Sequence, residues 1–236
     1  MHENIPTPSG YDVYWEKWTD AYSPEETEIS VIEEEAAREG DAFSFEEEDP
    51  GLDYRTATKF LTNLRILESQ NHKPIVVHQH STGGEWHAGM VIYDAIQGSP
   101  CRFILICHGI CASMGSIIAQ APLGNGVRVS MPNCDWLIHD GSCSVEGTYK
   151  QVFSMYEFEK TILDRSYEIY VKSCEKTGSY FDGAKKNTVK NFIKKQLNSR
   201  EDWWMPSSDA VFYGFADGIF GEDGFNSLEE IVKNVS

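Results

Sequence analysis

From residue 42 onward the chain alternates short apolar runs with amphipathic stretches, and this alternation constrains the fold more than any other feature. Residues 42–45 form a short strand-like run, followed by Ala57, Phe60, Leu61, Leu64 and Leu67 on one helical face. Residues 74–78 are apolar again, then Thr82-Gly83-Gly84 makes a turn into a helix through Met90, Ile92, Tyr93 and Ile96. Residues 102–107 give a third strand, with a helix through Ile117, Ile118 and Ala121 before Pro122 and the Gly124-Asn125-Gly126 turn. Three strand–turn–helix units imply parallel strands with helical crossovers. The fold class is therefore α/β, with its sites at the carboxyl ends of the strands, where turns lead into helices.

Two further strands are expected at 127–130 and 136–139, and a long helix at 149–173 with apolar Val152, Met155, Tyr156, Ile162, Leu163, Tyr167 and Tyr170. That helix is long enough to protrude beyond one globule. Residues 184–200 carry six Lys or Arg and no acid, with Val189, Phe192, Ile193 and Leu197 at helical spacing, which predicts a basic amphipathic helix. Its charge opposes that of residues 21–50, where twelve Asp or Glu stand against Arg38 alone. Contact between the two blocks is one reading of that opposition, and two solvated faces the other. Residues 1–41 read as an acidic N-terminal extension, with a helix-forming run from Glu33 that stops at Gly40, and 42–236 as the folded domain. Tyr11, Tyr14, Trp15 and Trp18 imply that part of the extension docks on the domain or on a neighbour, because such rings are costly to leave wet.

The whole chain sums to −17, which disfavours direct contact with nucleic-acid phosphates or anionic lipid. No apolar stretch approaches a membrane span, and the polar start Met1-His2-Glu3-Asn4 lacks the character of a signal peptide. The expectation is cytoplasmic residence. The six cysteines show no repeated C-x-x-C spacing and read as free thiols.

Three turns bear chemistry. In Gly109-Ile110-Cys111-Ala112-Ser113-Met114-Gly115, Ser113 follows a buried strand, where a hydroxyl projects at the sheet edge and the next N–H, that of Met114, can donate to an oxyanion. A serine there serves equally as a helix N-cap, and Cys111 breaks the G-x-S-x-G pattern. The adjacent Gly83 and Gly84 offer bare backbone N–H groups to the same kind of oxyanion. His139, at the end of its strand, is either structural or the base that a serine hydroxyl needs near neutral pH. His78 and His80, with Glu85 and His87 nearby, can be drawn as a metal site, but ligands must converge from distinct elements. Neither metal nor cofactor is expected.

These turns, in this order, resemble the proteolytic subunit of the Clp protease, within the ClpP/crotonase superfamily. Ile75 to Gly84 with Ala88-Gly89-Met90-Val91-Ile92-Tyr93-Asp94 is similar to that family's strand, S-P-G-G turn and A-G-M-x-I-Y-D helix. Cys111-Ala112-Ser113-Met114-Gly115 resembles its nucleophile turn, and Met131-Pro132-Asn133 through Ile138-His139 its histidine segment. The run from Asp202 to Asp217 resembles its R-D-x-x-L-S-A-x-E-A-x-x-Y-G-L-V-D segment, and the likeness extends over about 42–220. It implies a ClpP/crotonase-like fold and a serine endopeptidase. Ser113 would be nucleophile, His139 base and acid, Asp202 the orienting carboxylate, and Gly83 and Met114 the oxyanion donors.

By the same resemblance the chain should form a homo-oligomer, a heptameric ring or a stacked tetradecamer joined through the 149–173 helix. It would cut unfolded polypeptides inside that ring, with an AAA+ unfoldase as partner, in a housekeeping role or one like that of viral capsid-maturation proteases. Departures from the family pattern are Thr82 for Pro, His80 for Asn, Asp140-Gly141 for Gln-Pro, His78 for a pocket tyrosine, and a basic helical insertion at about 179–200. The rival readings are a crotonase-like acyl-CoA hydratase or isomerase, which would not need Ser113, and an inactive ring subunit.

Overall fold

The computed structural model describes residues 27–32 and 51–235. Strand β1 (Thr27–Ile32) is followed by α1 (Tyr54–Gln70), β2 (Ile75–Ser81), α2 (Trp86–Gly98), β3 (Phe103–Ala112), the short α3 (Met114–Ile118), β4 (Gly126–Ser130) and β5 (Asp135–Ile138). The long α4 (Tyr149–Thr177), a 3-10 turn (Ser179–Phe181), α5 (Lys186–Arg200), β6 (Trp203–Pro206), α6 (Ser207–Tyr213), β7 (Gly218–Ile219) and α7 (Leu228–Val235) complete the order. The sheet runs β1-β2-β3-β4-β7, with β5 attached to β3 and β6 to β5. Every pairing is parallel except β5 with β6. This is the α/β fold that the alternating pattern implies.

The sheet is covered on both faces, which explains why β3 reads as an unbroken apolar run. Phe103, Leu105 and Cys107 turn toward the larger core beneath α1, α2 and α4, whereas Ile104 and Ile106 join Val76, Val129, Ile231 and Val235 under α7. Asp53 starts α1 by accepting from the Arg55 and Thr56 N–H groups, the N-cap that aspartate is suited to make. Among the described residues no helix is long and apolar enough to cross a membrane.

Two irregularities in β3 position the site. Its first half, Phe103–Cys107, pairs with β4, and its second half, Ile110–Ala112, with β5. Between them Gly109 lies at φ 56°, and the register with β2 jumps from Gln79↔Cys107 to Ser81↔Cys111. The extra residues bend the strand so that its last turn leaves the line of β4 and runs beside β5.

Strand β1 falls inside the segment that acidity sets apart in the sequence, so part of that stretch adds an edge strand to the sheet. The strand expected at 42–45 and the acidic run from Glu33 lie outside the described residues. The basic helix forms as α5. Its Lys186 and Lys190 pair with Glu168 of α4, Lys190 also with Asp164, and Lys194 sits 4.9 Å from the centre of the Tyr167 ring. These cations face acids and a ring of α4.

Candidate active site

The register of three strands determines which side chains meet. Ala112 pairs with Leu137 of β5, and the Ser113 N–H donates to the Leu137 carbonyl at 3.0 Å, so Ser113 stands beside the end of β5. Strand β6 runs antiparallel to β5 with Ile138 opposite Trp203, and continuing that register by one residue sets His139 opposite Asp202. The result is a series of contacts. His139 Nε2 lies 2.6 Å from Ser113 Oγ, and His139 Nδ1 3.3 Å from Asp202 Oδ1. The imidazole is about one-quarter exposed and the carboxylate about half exposed, at 24% and 54%.

Ser113 holds φ 52°, ψ −124°, outside the comfortable regions for a side chain with a Cβ, a strain of about 1–3 kcal/mol that the surroundings must sustain. They do so from several sides. The Ser113 carbonyl accepts from the Ser116 and Ile117 N–H groups and from Ser116 Oγ, while Gln79 Nε2 donates to the Gly115 carbonyl at 2.9 Å. Small residues are required where the turn packs. A Cβ on Gly115 would lie 2.9 Å from that of Ser81, and one on Gly89 would run into the Met114 side chain. The strained serine stands at the N-cap position of α3, but its side chain makes no cap hydrogen bond and its hydroxyl is presented to the His139 imidazole.

Gly83 and Gly84 close the other side. A Cβ on Gly83 would stand 3.0 Å from Ser113 Oγ and 3.0 Å from the Met114 nitrogen, so this turn and the start of α3 share one space around the hydroxyl. Gly83's own N–H donates to Ser81 Oγ at 3.1 Å. The Leu52 N–H donates to the Gly83 carbonyl and the Glu85 N–H to the Leu52 carbonyl, so this short parallel bridge straddles Gly84 and does not use the Gly84 N–H. The resemblance names Gly83 as the oxyanion donor beside Met114, but in the structure the Gly83 N–H is engaged by Ser81 Oγ, whereas among the described residues no backbone carbonyl takes the Gly84 N–H.

His78, His80 and His108 lie on the neighbouring β2 and β3. His78 Nδ1 and His108 Nε2 are 2.9 Å apart, and burial, reinforced by His78 and His80, lowers the His108 pKa to about 4. His87 stacks on Phe158 of α4, away from this pair. No group of three His, Cys, Asp or Glu among the described residues is arranged to hold a metal ion. Beneath the serine turn, Cys107 and Cys111 are buried, and burial holds the Cys111 thiol well above the usual range, so it packs as a small apolar group. Two contacts lay beyond sequence reading: the Tyr167 hydroxyl donates to Asp140 Oδ1 at 2.7 Å, and the Tyr170 hydroxyl meets Ser116 Oγ at 2.8 Å.

A hydroxyl, an imidazole and a carboxylate in series can pass the hydroxyl proton to the imidazole as the oxygen attacks a carbonyl, while the carboxylate holds the ring and favours its charged form. A site of this form on a mostly parallel α/β sheet defines the class of the serine hydrolases. Residues 49–223 match the family model described as Clp protease. The chain is 31% identical over 164 residues to the ATP-dependent Clp protease proteolytic subunit of Streptococcus mutans, covering 69% of this chain and 77% of that one. It is 28% identical over 207 residues to proteolytic subunit 2 of the ATP-dependent Clp protease of Prochlorococcus marinus, covering 87% of each, and 29% identical over 165 residues to subunit 3 of Parasynechococcus marenigrum, covering 69% and 75%. The chain belongs to the Clp protease family, and its function is that of a serine peptidase.

Proposed function

We propose that the chain is an endopeptidase that cuts unfolded polypeptides through an acyl-enzyme on Ser113. The observation that carries this reading is the 2.6 Å contact between Ser113 Oγ and His139 Nε2 at a strained turn. In the reaction Ser113 Oγ attacks the scissile carbonyl and His139 Nε2 takes its proton. The tetrahedral oxyanion is met by the Met114 N–H and by the glycine turn, where Gly84 is the better donor because the Gly83 N–H is engaged by Ser81 Oγ. His139 then protonates the departing amine. Water, activated by the same imidazole, hydrolyses the ester and frees Ser113, with Asp202 orienting His139 throughout.

Assembly into a ring would confine that chemistry. The outer half of α4 leaves Tyr149, Phe153, Met155, Tyr156 and Phe158 more than 40% exposed, a row of apolar side chains that a ring-forming subunit would cover against a second copy. With that face covered, the family likeness extends the reading to a heptameric ring or a pair of stacked rings, acting in the cytoplasm with an AAA+ ATPase that supplies unfolded chains. The Ser113–His139 contact has no use in crotonase-type enolate chemistry and favours the peptidase over that rival. Hydrolysis of a short fluorogenic peptide by the assembled chain, lost in Ser113→Ala, is the expected result. Equal hydrolysis by Ser113→Ala would refute the role of Ser113, and a stable monomer at micromolar concentration would refute the ring.

A further inference from the structure

Helix α4 reaches the serine turn and the residue after His139 through two tyrosines one turn apart. Tyr170 is fully buried, and its hydroxyl lies 2.8 Å from Ser116 Oγ, which gives its own proton to the Ser113 carbonyl at 2.7 Å. The Ser116 hydroxyl has one proton, so the Tyr170 hydroxyl is the donor between the two. Tyr167, 3% exposed, donates to Asp140 Oδ1 at 2.7 Å, and Asp140 is the residue after His139. Residues 141–147, beyond Asp140, form no regular structure and are almost all exposed. His139 therefore sits where strand β5 gives way to an irregular segment, and the Tyr167 hydroxyl grips that segment at its first residue.

We propose that Tyr167 is a positioning residue, which holds His139 at hydrogen-bond distance from Ser113 by anchoring Asp140 to the helix that, through Tyr170, also braces the serine turn. The proposal rests on the Ser113–His139 reading above. One rigid helix then serves as the common reference for nucleophile and base. Such a reference matters because displacing a catalytic group by about 1 Å can cost up to about a hundredfold in rate. The site is built for the purpose. Desolvation, and after it the bond to Asp140, push the Tyr167 hydroxyl well above its ordinary pKa, so it remains a donor, and Lys194 of α5 lies over its ring. Helix α5 itself ends two residues before Asp202, so the same packing supports both neighbours of the imidazole.

The test uses the full chain in its assembled form, comparing Tyr167→Phe, Asp140→Ala, Asp140→Asn and the double variant Tyr167→Phe/Asp140→Ala. Three quantities are read: kcat and KM on a short fluorogenic peptide, and the rate of labelling by a fluorophosphonate probe. Loss of one anchoring hydrogen bond should lower kcat and labelling rate roughly three- to tenfold in Tyr167→Phe and in Asp140→Ala, with KM within about twofold. The double variant should be no slower than either single one, because both remove the same bond. Asp140→Asn keeps an acceptor oxygen for the tyrosine and should stay within about twofold of the original. Wild-type rates in Tyr167→Phe, multiplying losses in the double variant, or an Asp140→Asn as slow as Asp140→Ala would each overturn the proposal. Asp140 is exposed, so its variants report even where Tyr167→Phe folds poorly. Absence of labelling in the unaltered chain would sink the serine reading and this proposal together, whereas normal labelling with an indifferent Tyr167→Phe sinks this proposal alone.

Discussion

Replacing Asp202 by alanine should slow the enzyme, but by far less than replacing Ser113. The carboxylate lies 3.3 Å from His139 Nδ1 and its side chain is 54% exposed, so water shares the task of stabilising the imidazolium. Two unit charges about 4 Å apart attract by about 1 kcal/mol in water and about 4 kcal/mol at a typical protein surface. A half-exposed carboxylate falls between these limits, at about 2 kcal/mol, which corresponds to roughly a 30-fold loss of kcat. The assay is steady-state hydrolysis of a short fluorogenic peptide by assembled Asp202→Ala. KM should stay within about twofold, because the carboxylate touches the imidazole and not the substrate. A loss as complete as that of Ser113→Ala would show that the exposed geometry does not describe the working site. A loss below about threefold would show that His139 is held and charged without Asp202, and the reasoning from its position would be wrong.

Gly83→Ala should abolish most peptidase activity, by about a hundredfold or more, since its methyl would stand 2.6 Å from the Ser113 Cβ and 3.0 Å from Oγ, and unchanged turnover would contradict the packing described. Asp217→Ala should destabilise the fold by about 3–5 kcal/mol in urea titrations, because it strips the fully buried Arg128 guanidinium of its counter-ion, and a change below about 1 kcal/mol would refute that view. His108 is held neutral by burial, with its pKa lowered from 6.5 to about 4, so the unfolded chain binds the extra proton in that window. Stability should therefore fall as pH drops from about 6.5 to 4. The Tm of His108→Leu should fall less over the same range, and parallel curves for the two proteins would contradict the assignment.

What was legible in the sequence was whatever depends on neighbours in the chain. The serine turn and the Gly83-Gly84 turn each carry a local pattern of apolar run followed by small residues and form where it sets them, and the apolar strand expected at 136–139 forms one residue earlier, leaving His139 just past its end. Asp202 carries no such pattern. It reaches His139 because β6 pairs antiparallel with β5 across the whole of α4 and α5, and only the likeness to a known segment pointed to it. Strand β1 was hidden for a different reason: Thr27-Glu28-Ile29-Ser30-Val31-Ile32 alternates as an edge strand should, but lies in a block of acids that reads as solvated. The long helix was foreseen close to its length, ending at Thr177 where Gly178 follows, while α3 proved shorter than its apolar residues imply. Beyond Ile118 the chain turns through tight bonds from Gln120 to Ile117 and Ala121 to Ile118, a preference that periodicity does not register.

The most direct test of the central claim is labelling of the assembled protein with a fluorophosphonate probe, which reacts with a serine only where a neighbouring base activates it. The 2.6 Å contact predicts stoichiometric labelling at Ser113 that both Ser113→Ala and His139→Ala abolish. Labelling that survives in Ser113→Ala, or none at all in the folded and assembled native chain, would contradict the claim that Ser113 is an activated nucleophile.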